Sequence, residues 1–362
     1  MKIGVVLFSG KEFGGMERRM VRVFNELARK NRVTLIARSA TNSQMKTYLE
    51  LAGCSAGNFE EVICVKQKTK IAENTSIIHV IARSQFDCCV FGDCSRFSNV
   101  ATRISHLFGI KTLLIFAYGL YYYDAIQGKK DIRIENMIKA VDHIDLLYPD
   151  QAEFFAQSLS RRTSLTVTPN TFTDLNLFSP KTKKKQFVFI AARLEKDKNP
   201  QMVVEAANLC QSKLRECNYS IQICGQGYEE ATLKGRIKAL GLTDIIKMSG
   251  YTKTHTVLPE AQVLLAVGLT SNYPSQTIAE AAASGCGVIV TDVGETHRLL
   301  DDAYTFTIEP NAESLAGAMC LYIDTCDNEK RKLVESSRDY AVNNYSIDTV
   351  ISYYEQIFET IQ

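Results

Sequence analysis

Arg193 and Lys198 are the two side chains in this sequence whose type and spacing best suit a diphosphate. They flank Glu195-Lys196-Asp197 just beyond the apolar run Phe187–Ala191, where a strand should give way to a loop. A guanidinium fork can take two phosphate oxygens at once, and an ammonium acts as a point charge. An exposed ion pair with Glu195 or Asp197 explains the same residues without any ligand, and Lys196 reads as solvated.

A second cluster lies in Val267–Gly294. Apolar Val263–Val267 runs into Gly268, Ser271, Asn272 and Pro274, Thr277–Ser284 is alanine-rich and helix-compatible, and Val288–Thr291 resumes as a strand. A helix that opens at a strand's carboxyl end offers backbone N–H groups and a positive dipole end, which suits phosphate. Ser275, Gln276 and Thr277 stand at that opening, with a plain Ser275 N-cap as the simpler reading. Glu280 sits inside the helix among alanines. Its two acceptor oxygens match a vicinal diol, and a solvent-facing glutamate is the bland alternative.

Other chemistry is thinly represented. His79, His106, His143, His255 and His297 show no paired spacing, so each reads as structural or exposed. No Asp-x-Asp turn suggests a divalent ion, and no GxGxxG follows the first strand. The eleven cysteines read as reduced, mostly buried thiols of a cytosolic protein, Cys88, Cys89 and Cys94 included. Gly14-Gly15 before a helix is a plain βα turn or a close-approach loop for phosphate.

The elements that must hold these residues alternate strand and helix. In the first half strands are expected at Ile3–Phe8, Val33–Ala37, Val62–Val65, Phe86–Phe91, Lys111–Phe116, Leu146–Tyr148 and Leu165–Thr168. A helix over Met16–Lys30 carries Arg18, Arg22 and Arg29 on its polar face, read as solvated, with contact to anionic lipid as the minority reading. Turn residues and the run Lys181-Thr182-Lys183-Lys184-Lys185 mark a hinge over 170–186, after which the alternation restarts. The expected fold class is α/β, with two doubly wound domains: 1–175, 176–345, and a last helix over 346–362 expected to cross back to the first domain.

Composition supports a soluble globular chain: 362 residues, 46% hydrophobic, 23% charged, with no apolar run long enough to span a bilayer and no signal peptide. The net charge of +2 divides into +6 over 1–180 (23 basic, 17 acidic) and −4 over 181–362 (19 basic, 23 acidic). A mildly basic first half fits an anionic ligand or peripheral contact with an anionic membrane and is too weak for nucleic acid.

The second half also resembles a known family. Ala191–Pro200 (AARLEKDKNP) resembles the RLxxxKN segment of retaining glycosyltransferases of family 4, which have the two-domain GT-B fold. Ile223–Gly227 resembles that family's strand-loop glycine pair, and Ala239–Leu242 with Ile245–Tyr251 its "LGL" stretch. Glu280–Gly294 is similar to its "EAMACGxPVVATDVG", Phe13–Arg18 to its GGxE loop, and Val167–Asn170 with Phe178 and Pro180 to its hinge.

The resemblance implies two Rossmann-like domains facing a central cleft, an acceptor side in the first and a nucleotide-sugar site in the second. It implies Arg193 and Lys198 on the departing diphosphate, Glu280 on the donor ribose, and Gly14, Gly15, Gly225, Tyr251, Asn272, Ser275, Gln276 and Thr277 around the donor. The donor would be a UDP- or GDP-sugar used as a substrate, with no metal and no separate cofactor. The acceptor would be a saccharide or lipid-linked saccharide, in bacterial capsule, O-antigen or lipopolysaccharide assembly in the cytoplasm.

Two positions depart from the pattern. Asn272 stands where the family carries its first glutamate, and Tyr118 stands about where members carry a histidine, so it is a candidate substrate contact. The tyrosines at 118, 121, 122 and 123 could equally be packing aromatics. Two other readings therefore stay open: a non-catalytic nucleotide-sugar-binding subunit, or another GT-B enzyme such as a nucleotide-sugar epimerase or a phosphorylase.

Overall fold

Short β-branched runs bounded by turn residues supply the strands, and the longer amphipathic stretches between them supply crossovers, so every strand pairing is parallel. The computed structural model describes residues 1–8, 15–54, 56–117, 124–125, 127–159, 162–169 and 171–361. Residues Met1–Pro169 with Val350–Gln362 form one compact unit, and Asn170–Thr349 form a second.

The first unit holds β1 (Lys2–Phe8), β2 (Arg32–Arg38), β3 (Glu61–Val65), β4 (Cys88–Phe91), β5 (Lys111–Phe116), β6 (His143–Leu146) and β7 (Ser164–Val167). They lie in the order β3-β2-β1-β4-β5-β6-β7, so the winding reverses between β1 and β4. Helix α1 (Gly15–Leu27) packs on one face of this sheet. Helices α2 (Lys70–Ser84), α3 (Arg96–Leu107) and α4 (Ile132–Ala140) join strands stepping the other way, so right-handed crossovers place them on the opposite face.

The second unit holds β8 (Gln186–Arg193), β9 (Ser220–Gln226), β10 (Ile246–Met248), β11 (Val263–Ala266), β12 (Gly287–Thr291) and β13 (Thr305–Ile308). Their order is β10-β9-β8-β11-β12-β13, and the winding reverses between β8 and β11. Pro200 opens helix α5 (Pro200–Leu209), where its missing N–H costs nothing. Helix α6 (Gln276–Ala283) joins β11 to β12 and packs against α7 (Asp327–Asn344). Ser337 on α7 donates to the Cys286 carbonyl at 2.7 Å.

The last helix, α8 (Ile347–Ile361), packs from Val350 onward on the first unit. Tyr354 packs tilted and Phe358 edge-on against Phe24 of α1, with ring centroids 5.9 and 6.4 Å from it. Tyr354 Oη and Thr168 Oγ1 donate to Asp145 Oδ2 at 2.6 and 2.7 Å, and Tyr353 Oη lies 2.6 Å from Asp145 Oδ1. Burial pushes the Asp145 carboxyl up, and these hydroxyl donors pull it back.

Two expectations are corrected here. The sixth strand is His143–Leu146 rather than Leu146–Tyr148. His143 and Asp145 make the segment look too polar for a buried strand, yet both are satisfied in the interior: His143 lies 2.6 Å from Ser164 Oγ and 2.9 Å from Thr166 Oγ1. The arginines of α1 are not an open solvated face. Arg18 and Arg22 are half-buried, and exposed Arg29 lies past the end of α1 and pairs with Glu26 at 3.0 Å.

Candidate functional site

In an open parallel sheet, loops at the strands' carboxyl ends splay apart where the winding reverses, and ligands bind in the crevice they leave. In the second unit that point lies between β8 and β11. Arg193 is the last residue of β8, and Lys198 ends the single 3-10 turn that follows. The loop after β11 is fastened to that turn, because Leu269 N donates to the Asp197 carbonyl at 2.9 Å. Thr291 Oγ1, at the end of β12, donates to the Gly268 carbonyl at 2.7 Å. The segments carrying Arg193, Lys198 and Asn272 therefore form one hydrogen-bonded rim.

Glycines let the neighbouring loops join it. Gly225 N donates to the Gly250 carbonyl at 2.7 Å, tying β9 to the loop after β10. Gly225 has φ +143, and a Cβ there would stand 2.2 Å from the Ala191 carbonyl oxygen. A Cβ on Gly227 would stand 2.6 Å from the Leu194 backbone. The backbones of β8 and β9 approach this closely only because both positions lack a side chain. Gly225 thus shapes the rim by packing on β8.

The two cations make the exposed ion pairs that their simpler sequence reading expects. Arg193 is 73% exposed and lies 3.5 Å from Glu195; Lys198 lies 3.3 Å from Asp197. Such exposed pairs hold their partners weakly, so either cation can turn to a stronger anion. Tyr251 is exposed beyond β10. Tyr228, directly after Gly225-Gln226-Gly227, is 91% exposed on the same rim. Sequence reasoning missed it, although a large aromatic placed just after a glycine turn at a strand end was a usable signal.

Helix α6 opens with Ser275 as its N-cap, Oγ accepting from Ile278 N at 3.2 Å. Gln276 does not aim its side chain at a ligand: Nε2 donates to the Phe172 carbonyl at 2.7 Å and Oε1 accepts from Thr171 Oγ1 at 3.4 Å. What Gln276 and Thr277 can offer an anion is backbone N–H, which the first turn of any helix leaves without an intrahelical partner. Glu280 is 8% exposed and therefore not the solvent-facing glutamate of the bland reading.

Asn272 is held by the end of β12 and the turn after it. Its backbone N donates to Thr296 Oγ1 at 2.8 Å, and Nδ2 reaches the Thr291 carbonyl at 3.4 Å and Thr296 Oγ1 at 3.5 Å. A glutamate here would point an acceptor at the Thr291 carbonyl. The amide suits this surrounding and the carboxylate does not.

The first unit has its own switch point, between β1 and β4, and a cavity of about 410 Å³ opens there. Leu7, Gly92–Ser95 and Ala117 line it from the ends of β1, β4 and β5, and Met16, Glu17 and Met20 line it from α1. Asp131, Arg133 and Ile134 complete the wall. The Arg133 guanidinium, 2.5 Å from Asp131, holds that carboxyl down at about 2. Carboxylates set among apolar side chains suit a molecule with hydroxyls on its edge and C–H groups on its faces. Of this wall only Met16 and Glu17 fall in a stretch the sequence singled out, Phe13–Arg18; the rest is drawn from separate segments of the chain.

Gly15 begins α1, exposed, and a Cβ there would meet nothing within 4 Å, so packing does not demand a glycine. Gly14 and Tyr118 lie outside the described residues, as do the tyrosines at 121–123. Arg193, Lys198, Gly225, Tyr251, Asn272 and the start of α6 all lie on the loops at the carboxyl edge of the second sheet. Among the described residues no group of three or more His, Cys, Asp or Glu is placed to hold a metal ion. No helix is long and apolar enough to cross a membrane.

Two doubly wound units, of seven and six parallel strands, define the GT-B fold. Residues 174–339 match the model of the family described as Glycosyl transferases group 1. The chain is 22% identical over 355 residues to the GalNAc-alpha-(1->4)-GalNAc-alpha-(1->3)-diNAcBac-PP-undecaprenol alpha-1,4-N-acetyl-D-galactosaminyltransferase of Campylobacter jejuni, covering 97% of this chain and 96% of that one. Its fold resembles that of Anabaena HepE, solved with UDP-glucose, at a TM-score of 0.78 and 16% identity, covering 99% of this chain and all of that one. A glycosyltransferase from Rickettsia africae is similar at a TM-score of 0.74 and 16% identity, covering 99% and 98%.

Proposed function

We propose that this protein is a glycosyltransferase that moves a sugar from a nucleotide-diphosphate donor to a saccharide or lipid-linked saccharide acceptor. The observation that carries the reading is a coincidence of position. The stretch that matches the group 1 glycosyl transferase model contains the rim where Arg193, Lys198 and the start of α6 gather at a switch point. Arg193 and Lys198 neutralise the departing diphosphate, the first N–H groups of α6 add their dipole, and Glu280 accepts from the ribose hydroxyls. Tyr251 and Tyr228 offer faces for the base. No protein nucleophile is invoked: attack from the face the diphosphate leaves keeps the anomeric configuration, and the two cations take the role a metal would otherwise fill.

The relatives support the substrate classes: the Campylobacter enzyme's name describes an undecaprenol-linked saccharide, and HepE was solved with UDP-glucose. We place the reaction in the cytoplasm, in bacterial surface polysaccharide assembly, with the acceptor sugar in the cavity between β1 and β4. The test is a panel of UDP- and GDP-sugars with the anomeric configuration of the product read by NMR. Retention with one donor supports the reading. Inversion refutes the front-face step, and failure of every donor and of UDP and GDP to bind refutes the enzyme.

The Asn272 geometry favours one alternative. With its amide turned to Thr291 and Thr296, the position where the family keeps a sugar-contacting carboxylate is occupied by a structural contact. A subunit that binds a nucleotide sugar without transferring it would show tight UDP binding and no turnover with any donor.

A further inference from the structure

Helices α2, α3 and α4 form one layer on the face of the first sheet opposite α1 and α8. The five large apolar side chains seen exposed in this unit, Ile71, Val100, Leu107, Phe108 and Ile132, all lie on this layer or its caps. On α3 the exposed positions Arg96, Val100, Arg103 and Leu107 recur at i, i+4, i+7 and i+11, one narrow face of the helix. Its inner face is Phe97, Ser98, Ala101, Thr102 and Ser105. Leu107 is 82% exposed and Phe108 57%, so the stripe ends in an uncovered apolar pair. Asn99 Nδ2 donates to the Arg133 carbonyl at 3.0 Å, which sets the start of α4, and Ile132 with it, beside this stripe.

The layer's charge is one-sided. Within the three helices the cations Lys70, Arg83, Arg96, Arg103, Arg133 and Lys139 are all exposed. The carboxylates on the same helices are Glu73, buried against Ser39 and Gln67, and Glu135, which faces Lys130 at 3.7 Å. Arg133 is partly committed to Asp131. Exposed leucine, isoleucine and phenylalanine thus stand among exposed cations on one layer. An anionic lipid surface satisfies both, the cations meeting headgroups and the apolar side chains entering the acyl boundary.

We propose that the α2–α3–α4 layer is the face by which this protein docks on an anionic membrane surface. This differs from the polar face of α1, whose Arg18 and Arg22 are half-buried, and from Arg29 just past its end, which is paired. It stands apart from the glycosyltransferase reading, since docking is measured without substrate.

The test is co-sedimentation of the full chain with vesicles of phosphatidylcholine alone or with about 30 mol % phosphatidylglycerol, at low and high salt. Binding should require phosphatidylglycerol and weaken with salt, and each cation removed should lower the partition coefficient about fivefold. Leu107→Glu with Phe108→Glu, and separately Arg96→Glu with Arg103→Glu, should each lower it at least tenfold while thermal unfolding is unchanged, because all four side chains are exposed. Arg29→Glu with Lys30→Glu, on the opposite face, should leave it within about twofold. No binding, equal binding to neutral vesicles, or equal loss in the α1 pair would overturn the proposal. So would a concentration-dependent dimer that Leu107→Glu with Phe108→Glu abolishes, which would make the layer a contact between copies.

Discussion

Replacing Arg193 by alanine separates folding from function sharply, because the side chain is 73% exposed and its ion pair with Glu195 is 3.5 Å long. Such a pair contributes about 0.2–1 kcal/mol, so the variant should unfold within about 3 °C of the parent. On a diphosphate the same guanidinium would make two charge-assisted hydrogen bonds, each about 1.5–3 kcal/mol. Taking about 3 kcal/mol as the lower end of the loss, UDP affinity and kcat/KM with the working donor should fall about 10²-fold or more. Arg193→Lys keeps the charge and loses the fork, so it should fall between parent and alanine. Calorimetry with UDP and with GDP gives affinity, donor hydrolysis gives turnover, and thermal unfolding gives stability. If alanine leaves both affinity and turnover within about threefold of the parent, the diphosphate assignment fails. A Tm drop well beyond about 5 °C would instead show that Arg193 holds the fold, contrary to its exposure.

Three further outcomes follow from distances and titration. Gly225→Ala forces a Cβ to 2.2 Å from the Ala191 carbonyl at φ +143, so denaturant unfolding should show a loss of about 3 kcal/mol or more, whereas Gly15→Ala should be near neutral. Asn272→Glu loses the amide's bond to the Thr291 carbonyl and faces it with an acceptor; turnover should fall at least about tenfold with little change in Tm, and a gain in turnover would sink this account of the position. Burial pushes the His143 imidazole down to about 4, so the unfolded chain takes up a proton that the native chain refuses. The stability from that site is fully present above about pH 6.5 and is lost as pH falls toward about 4, by up to about 3 kcal/mol; chemical denaturation across that range, flatter in a His143→Asn variant, checks it.

Much of this protein was legible before any coordinates. Alternating apolar runs and amphipathic stretches define two parallel sheets, because a parallel strand buried on both faces must be short, apolar and followed by a crossover. Gly225, Gly227, Ser275 and Pro200 announced the turns and helix starts they occupy, since those roles depend on local backbone geometry. The strand His143–Leu146 was not legible, because the partners that make its histidine and aspartate acceptable are Ser164, Thr166, Thr168 and two tyrosines more than two hundred residues away. The basic apolar layer of α2, α3 and α4 was invisible for the same reason, and so was most of the cavity between β1 and β4, of whose wall only Met16 and Glu17 lie in a quoted motif.

The sequence by itself determined which residues could meet a diphosphate and that they would sit at strand ends, because residue type and local spacing carry that information. The tertiary structure alone decided that β8 and β11 flank a reversal of winding, which brings the loop of Arg193 and Lys198 against the loop of Asn272. It also decided that Gln276 spends its side chain on Phe172 and Asn272 on Thr291. Those facts depend on strand order and on contacts far apart in the chain, and no local pattern encodes either.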